Sequence, residues 1–234
     1  MESAAWVKTT RWVIKPLVFV ACLLPALRLA AGAFGVAGVS LGADPVAALL
    51  HGCGRWTLNF LMITLCVTPL RDLTHSVFWL RFRRMFGLYA FFYVVLHFSV
   101  YLFIDQNGKW NVLWQDIAKR PYITIGVLAM LMLVPLAATS TARAMRRLGQ
   151  RWTRLHRLIY AIAILGVWHF WWQVKSDIRQ PLLYAAGLTL LLGYRVWKRR
   201  HAIRRALGAR GLAGAAGVGG ATDARGQRET LRKA

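Results

Sequence analysis

The sequence predicts an all-α fold, a polytopic bundle of six membrane-spanning helices with both termini in the cytoplasm, and three observations predict it. Of the 234 residues, 57% are hydrophobic, and the mean hydropathy of +0.43 is above what soluble domains show. Six apolar runs, at 12–37, 56–70, 85–104, 121–138, 154–173 and 181–197, approach the about 17 to 25 residues needed to cross a bilayer. The cations alternate sides: 24 of the 31 lysines and arginines fall at the N-terminus, the 2–3 and 4–5 connections and from Arg195 onward. The opposite connections hold 6, namely Arg55, Lys109, Lys119, Arg120, Lys175 and Arg179, and Arg28 lies inside the first run. That asymmetry is the positive-inside bias and explains most of the net charge of +23 without nucleic acid.

Residues 1–11 form a cytoplasmic N-terminus, 12–200 the six-helix domain and 201–234 a basic tail. The first run has no small-residue cleavage pattern close behind it and is read as retained. The second, 56–70, is the shortest and ends at Pro69. The third, 85–104, follows the basic stretch that ends in Arg83 and Arg84 and carries His97. After it, "DQNGKWNVLWQDIAKRP" spaces Trp110 and Trp114 four apart, the pattern of a short segment lying at headgroup level. The fourth run opens at Pro121, the fifth carries His156 and His169, and the sixth ends near Arg195. From Gly208 the chain is rich in glycine, alanine and charge without an apolar period, which predicts a disordered tail. No internal repeat is evident. Short connections make consecutive helices antiparallel neighbours.

Of the six histidines, His51, His75 and His201 lie in loops or at interfaces, where they need no special explanation. His97, His156 and His169 lie within spans, where an ionisable group is costly and marks function. At a rise of 1.5 Å per residue, His97 is roughly 18 Å and His169 roughly 22 Å from the cytoplasmic face. Two neutral imidazoles at one depth, facing across a bundle, offer the two axial ligands of a haem iron. His156 lies roughly 20 Å nearer the cytoplasm than His169. Its partner on the third span would fall at Arg84 or Arg83, neither of which ligates iron, so one complete bis-histidine site is better supported than two. Arg83 and Arg84 serve as topology anchors or as holders of a haem propionate, a flavin phosphate or an acidic partner. Arg28, at the depth of the His97 and His169 pair, either snorkels outward or pairs with a propionate.

Cys22, Cys53 and Cys66 form no CxxC or CxxCH motif, so covalent haem and a cysteine-bound metal lack support. No Ser-His-Asp set, phosphate-cradling glycine loop or carboxylate dyad is present, and there are 8 acidic residues in all. The chain is therefore read as an electron conductor and not as an enzyme with its own organic substrate site. A proton-relaying transporter would need acidic groups within the spans, and Asp44, Asp72, Asp105, Asp116 and Asp177 all lie in loops. A stand-alone reductase of ferric chelates at the outer face is the other alternative.

Residues 42–71, 83–97, 120–141 and 148–169 together resemble the haem-binding membrane subunit of the bacterial periplasmic methionine sulfoxide reductase system. That family belongs to the ferric reductase-like transmembrane group, which includes the NADPH oxidases, and the similarity covers about residues 12 to 200. The resemblance implies an inner-membrane cytochrome carrying haem b, one or two per chain, and also FMN. It implies electrons drawn from the quinone pool or a cytosolic flavin reductase and delivered to a periplasmic molybdopterin subunit that reduces methionine sulfoxide in oxidised proteins. His97, His156 and His169 match the family's haem-associated histidines, and Arg83 and Arg84 its paired cytoplasmic arginines. The wider group carries a C-terminal FAD/NADPH domain. Here too few residues follow the sixth run for one, so the electrons must come from another protein.

Overall fold

A computed structural model describes residues 4–36, 38–174 and 177–231. Lys175, counted above among the outer cations, and the last three residues of the tail lie outside the described residues. The described chain is helical throughout, without strands: α1 (Ala4–Thr9), α2 (Lys15–Ala33), α3 (Pro45–Thr74), α4 (Leu80–Ser99), α5 (Trp110–Lys119), α6 (Pro121–Ala138), α7 (Ala142–Leu148), α8 (Gln150–Leu155), α9 (Leu158–Gln173) and α10 (Arg179–Leu231). Wider π-helical turns, Thr10–Ile14 and Val100–Asp105, join α1 to α2 and extend α4. Two units are distinguished, Met1–Thr189 and Leu190–Ala234.

Among the described residues three continuous helical stretches are long and apolar enough to cross a membrane, Trp6–Ala33, Val77–Asp105 and Pro121–Ala138. Of the other three predicted spans, the second and sixth fall within α3 and α10; the fifth, 154–173, is broken, its first residues lying at the end of α8 and in a turn at His156 and Arg157, and the rest forming α9. Arg55 and Asn59 interrupt the apolar character of α3, and α9 has 16 residues. Large apolar side chains cover the outside of the first unit, Trp12 at 73% and Leu17 at 69% exposure among them. In water that surface would be a liability; against lipid tails it is the expected one.

Helix starts follow their capping residues. The Asp44 carboxylate accepts the Ala47 amide at 2.9 Å at the head of α3. Thr141 does the same for Ala144 at the head of α7, at 3.2 Å. The α3–α4 hairpin is built on an aromatic stack, with the Phe60 ring 5.3 Å from the rings of both Tyr89 and Tyr93. Tyr89 and Tyr93 also dock α2. The Tyr89 hydroxyl donates to the Phe19 carbonyl at 2.6 Å, and that of Tyr93 donates to the Cys22 carbonyl at 2.9 Å while accepting the Ala26 amide at 3.0 Å. Cys22 and Ala26 would bond to each other in a regular turn, and Pro25 stands between them. Fully buried Tyr93 thus fills a break in the ladder beside the proline.

In the connection between α4 and α6, α5 places Trp110 and Trp114 on its exposed side, as their spacing predicts, and turns Leu113 and Asp116 inward. Asp116 is buried rather than in open loop: it accepts the Tyr101 hydroxyl at 2.6 Å and pairs with Arg120 at 3.3 Å. The Tyr184 hydroxyl donates to the Asn59 side chain at 2.6 Å, which ties the start of α10 to α3. The tail read from composition as disordered from Gly208 has a helical backbone to Leu231. Alanine, arginine and leucine, strong helix formers, outnumber the glycines there, and no proline follows Pro181.

Candidate metal centre

His97 on α4 and His169 on α9 meet inside the first unit, ring centroids 6.3 Å apart and planes at 84°. The Nδ1 of His97 donates to the Leu50 carbonyl of α3 at 2.9 Å, and the Nδ1 of His169 to the Tyr122 carbonyl of α6 at 2.6 Å. A carbonyl can only accept, so both rings carry their proton on Nδ1 and leave the Nε2 lone pair free. Tethering the distal nitrogen in this way orients an imidazole for metal and raises its basicity.

A helical carbonyl is normally screened by the side chain of the residue that bonds to it one turn later. Here those residues are Gly54 and Gly126, and a Cβ would come within 3.2 Å of the His97 ring or 2.8 Å of the His169 ring. Each component of the second cradle lies 72 positions after its counterpart in the first: 50 and 122, 54 and 126, 97 and 169. Leu61 and Leu133, and Phe98 and Phe170, obey the same offset, and all four line the same cavity. The expectation that the chain has no internal repeat is thereby corrected. The repeat conserves backbone groups, glycines and packing positions, and the surrounding apolar residues are interchangeable in lipid.

The cavity between the α3–α4 pair and the α6–α9 pair is apolar around the rings, with Leu58, Leu61, Leu133 and Ile162 among its walls, and also has polar lining residues, Arg55, Tyr101, Asp105 and Arg120. The Gln173 side-chain amide reaches the His51 Nδ1 at 3.3 Å beside it. His51, an exposed residue, thus lines the cavity as well. Gly54, Gly126, Arg55 and Arg120 escaped the sequence reading. The glycines carried a signal, each standing 43 positions before its histidine (54 to 97, 126 to 169).

The remaining predicted residues stand elsewhere. Arg28 is exposed on α2 and is not part of the cavity wall. Arg84 is exposed near the start of α4, and the charge of Arg83 reaches His156. His156 caps α8, stacked on Trp152 with centroids 3.9 Å apart. Its Nδ1 donates to the Trp152 carbonyl at 3.1 Å. The 72-residue offset pairs His156 with Arg84, so the level that would need a second histidine holds an arginine.

The pattern of the ferric reductase like transmembrane component family matches residues 53–167. The protein-methionine-sulfoxide reductase heme-binding subunit MsrQ of Xanthomonas campestris pv. campestris (strain 8004) is 59% identical over 165 residues, covering 70% of this chain and 76% of that protein. Its namesake from Xanthomonas oryzae pv. oryzae (strain MAFF 311018) is 52% identical over 195 residues, 82% of this chain and 89% of that protein. The chain belongs to the MsrQ family. The MsrQ of Bordetella pertussis (strain Tohama I) is 49% identical over 197 residues, covering 82% of this chain and 94% of its own. No solved structure matches. For an MsrQ family member the two cradles acquire a specific meaning, because these relatives are named for binding haem. The matched family region contains Gly54, His97, Gly126 and His156 and stops two residues short of His169.

The side chains fit a haem iron. Two metal–imidazole bonds of about 2 Å, with about 1 Å from each nitrogen to its ring centre, separate the centroids by about 6 Å. The observed separation is 6.3 Å. Among the described residues no group of three or more His, Cys, Asp and Glu is placed to hold a metal.

Proposed function

We propose that this chain is the b-type haem subunit that carries electrons across the bacterial inner membrane to a periplasmic, molybdopterin-containing methionine sulfoxide reductase catalytic subunit, which repairs oxidised periplasmic proteins. The observation that carries the reading is the His97 and His169 pair, with both Nδ1 atoms engaged and ring centres separated by the width of one coordinated iron. Bound there, the porphyrin iron would supply a one-electron ferric–ferrous couple. His97 and His169 would hold it from opposite faces, and the Leu50 and Tyr122 carbonyls keep their Nε2 lone pairs available. The leucine-rich wall excludes water and lowers the local dielectric, which disfavours the extra positive charge of the oxidised site. Arg55 and Arg120, among the polar lining residues, are the cations suited to its propionates.

Six spans with both termini in the cytoplasm bring the site toward the outer leaflet and present Arg83, Arg84 and the 4–5 connection to a cytoplasmic donor. That donor is the quinone pool or a cytosolic flavin reductase, and the same basic face suits the phosphate of FMN. Purified chain should show a low-spin b-type spectrum with about one haem per chain by pyridine haemochrome assay, the count the single imidazole pair requires. His97→Ala and His169→Ala should each abolish the low-spin bands. Colourless parent protein, or an unchanged spectrum in both variants, would overturn the reading.

A further inference from the structure

We propose that Gly54 and Gly126, each one helical turn after the carbonyl that anchors an imidazole, are positioning residues that hold the two iron-ligating rings in crossed planes. The inference rests on the haem reading above and adds a geometry to it. The Leu50 carbonyl is open to His97, and the Tyr122 carbonyl to His169, because the residue four positions later has no side chain. A Cβ at Gly126 would stand 2.8 Å from Nδ1 and 2.9 Å from Cε1 of His169. At Gly54 it would stand 3.2 Å from the corresponding atoms of His97. Real Cβ contacts are not that short at Gly126, so the His169 ring must turn or retreat. At Gly54 a small adjustment suffices.

The two rings sit at 84°, and each is fixed by a separate helix pair, α4 against α3 and α9 against α6. Neither ring can rotate alone without losing its carbonyl. Crossed planes have an electronic signature. Each imidazole raises a different one of the two iron d orbitals that lie out of the porphyrin plane, so the pair stays nearly degenerate. Parallel rings raise the same orbital and split them. A haem held here therefore gives a highly anisotropic low-spin signal, with one dominant low-field line in place of the three-line rhombic spectrum.

The test is low-temperature electron paramagnetic resonance on the oxidised, haem-loaded full chain in detergent, with haem counted by pyridine haemochrome. Parent protein should give the single low-field line. Gly126→Ala should convert at least half of it to a rhombic or high-spin signal, and Gly54→Ala should produce a smaller conversion. Gly87→Ala, on α4 with open space around its Cβ, should keep the parent signal. If Gly126→Ala fails to fold, the parent spectrum and Gly54→Ala carry the test. A rhombic parent spectrum from a haem that depends on both histidines overturns the crossed geometry and leaves the haem reading standing. An unaltered line in both glycine variants overturns the positioning role of Gly54 and Gly126 and leaves the haem reading standing. Parent protein without haem overturns the haem reading itself, and this inference with it.

Discussion

His97 and His169 stand with ring centroids 6.3 Å apart and planes nearly perpendicular, although 72 residues separate them in the chain. Removing one ring should leave a hole of its own shape. In His169→Ala the low-spin spectrum should give way to a five-coordinate high-spin one, and free imidazole added to the sample should restore the low-spin bands. Failure of millimolar imidazole to change the spectrum would mean that His169 is not a ligand.

The Tyr93 hydroxyl bridges the Cys22 carbonyl and the Ala26 amide beside Pro25. Tyr93→Phe strands both buried groups and should cost about 1–3 kcal/mol. Thermal unfolding in detergent should register the loss as a lower midpoint, while the visible spectrum of folded protein stays the same, because Tyr93 is not in the cavity wall. An unchanged midpoint would show that lipid or detergent accommodates the broken turn.

His156 stacks on Trp152 at a level where its counterpart is Arg84. With no second imidazole there, His156→Ala should retain the low-spin signal and the haem-to-protein ratio of the parent. A ratio falling by half would establish a second haem held by His156 and a ligand other than histidine.

Asp116 joins Tyr101, on the cavity wall, to Arg120 at the end of α5. Asp116→Ala should loosen α5 from the bundle by about 1–3 kcal/mol, the cost of leaving buried partners unsatisfied. Brief trypsin treatment should then cut faster at Lys109 and Lys119 than in the parent. Equal cleavage rates would show that α5 is held by Leu113 alone.

Arg28 and Arg120 separate two accounts of the cofactor's acidic groups. Arg28 is exposed and outside the cavity wall, whereas Arg120 stands in it. Arg28→Gln should leave the haem reduction potential where it is. Arg120→Gln should lower it, because a cation next to the site favours the reduced, less positive form. Equal potentials in the parent and both variants would remove Arg120 from the account of the site.

The meeting of the imidazoles was legible because helix rise is constant: residue counts along the third and fifth apolar runs set His97 and His169 at nearly one level, and the two rings do meet. Trp110 and Trp114 were legible for a similar reason, their spacing of four setting both on one exposed face of a short helix. The part played by His51 was not legible, since its partner Gln173 lies 122 residues away.

Composition alone determined that the chain lives in lipid, and the placement of lysine and arginine set its expected orientation. The repeat was decided by tertiary structure, and so was the identity of the groups that converge on the cavity. The physical reason is that a helix in lipid is apolar all round, so no stripe in its sequence says which side faces inward. Rotation about the helix axis is settled only by the partner. Here that partner is a backbone carbonyl laid open by a glycine: depth along the helix singles out each histidine in the sequence, but not the glycine, 43 residues before it, that admits its ring.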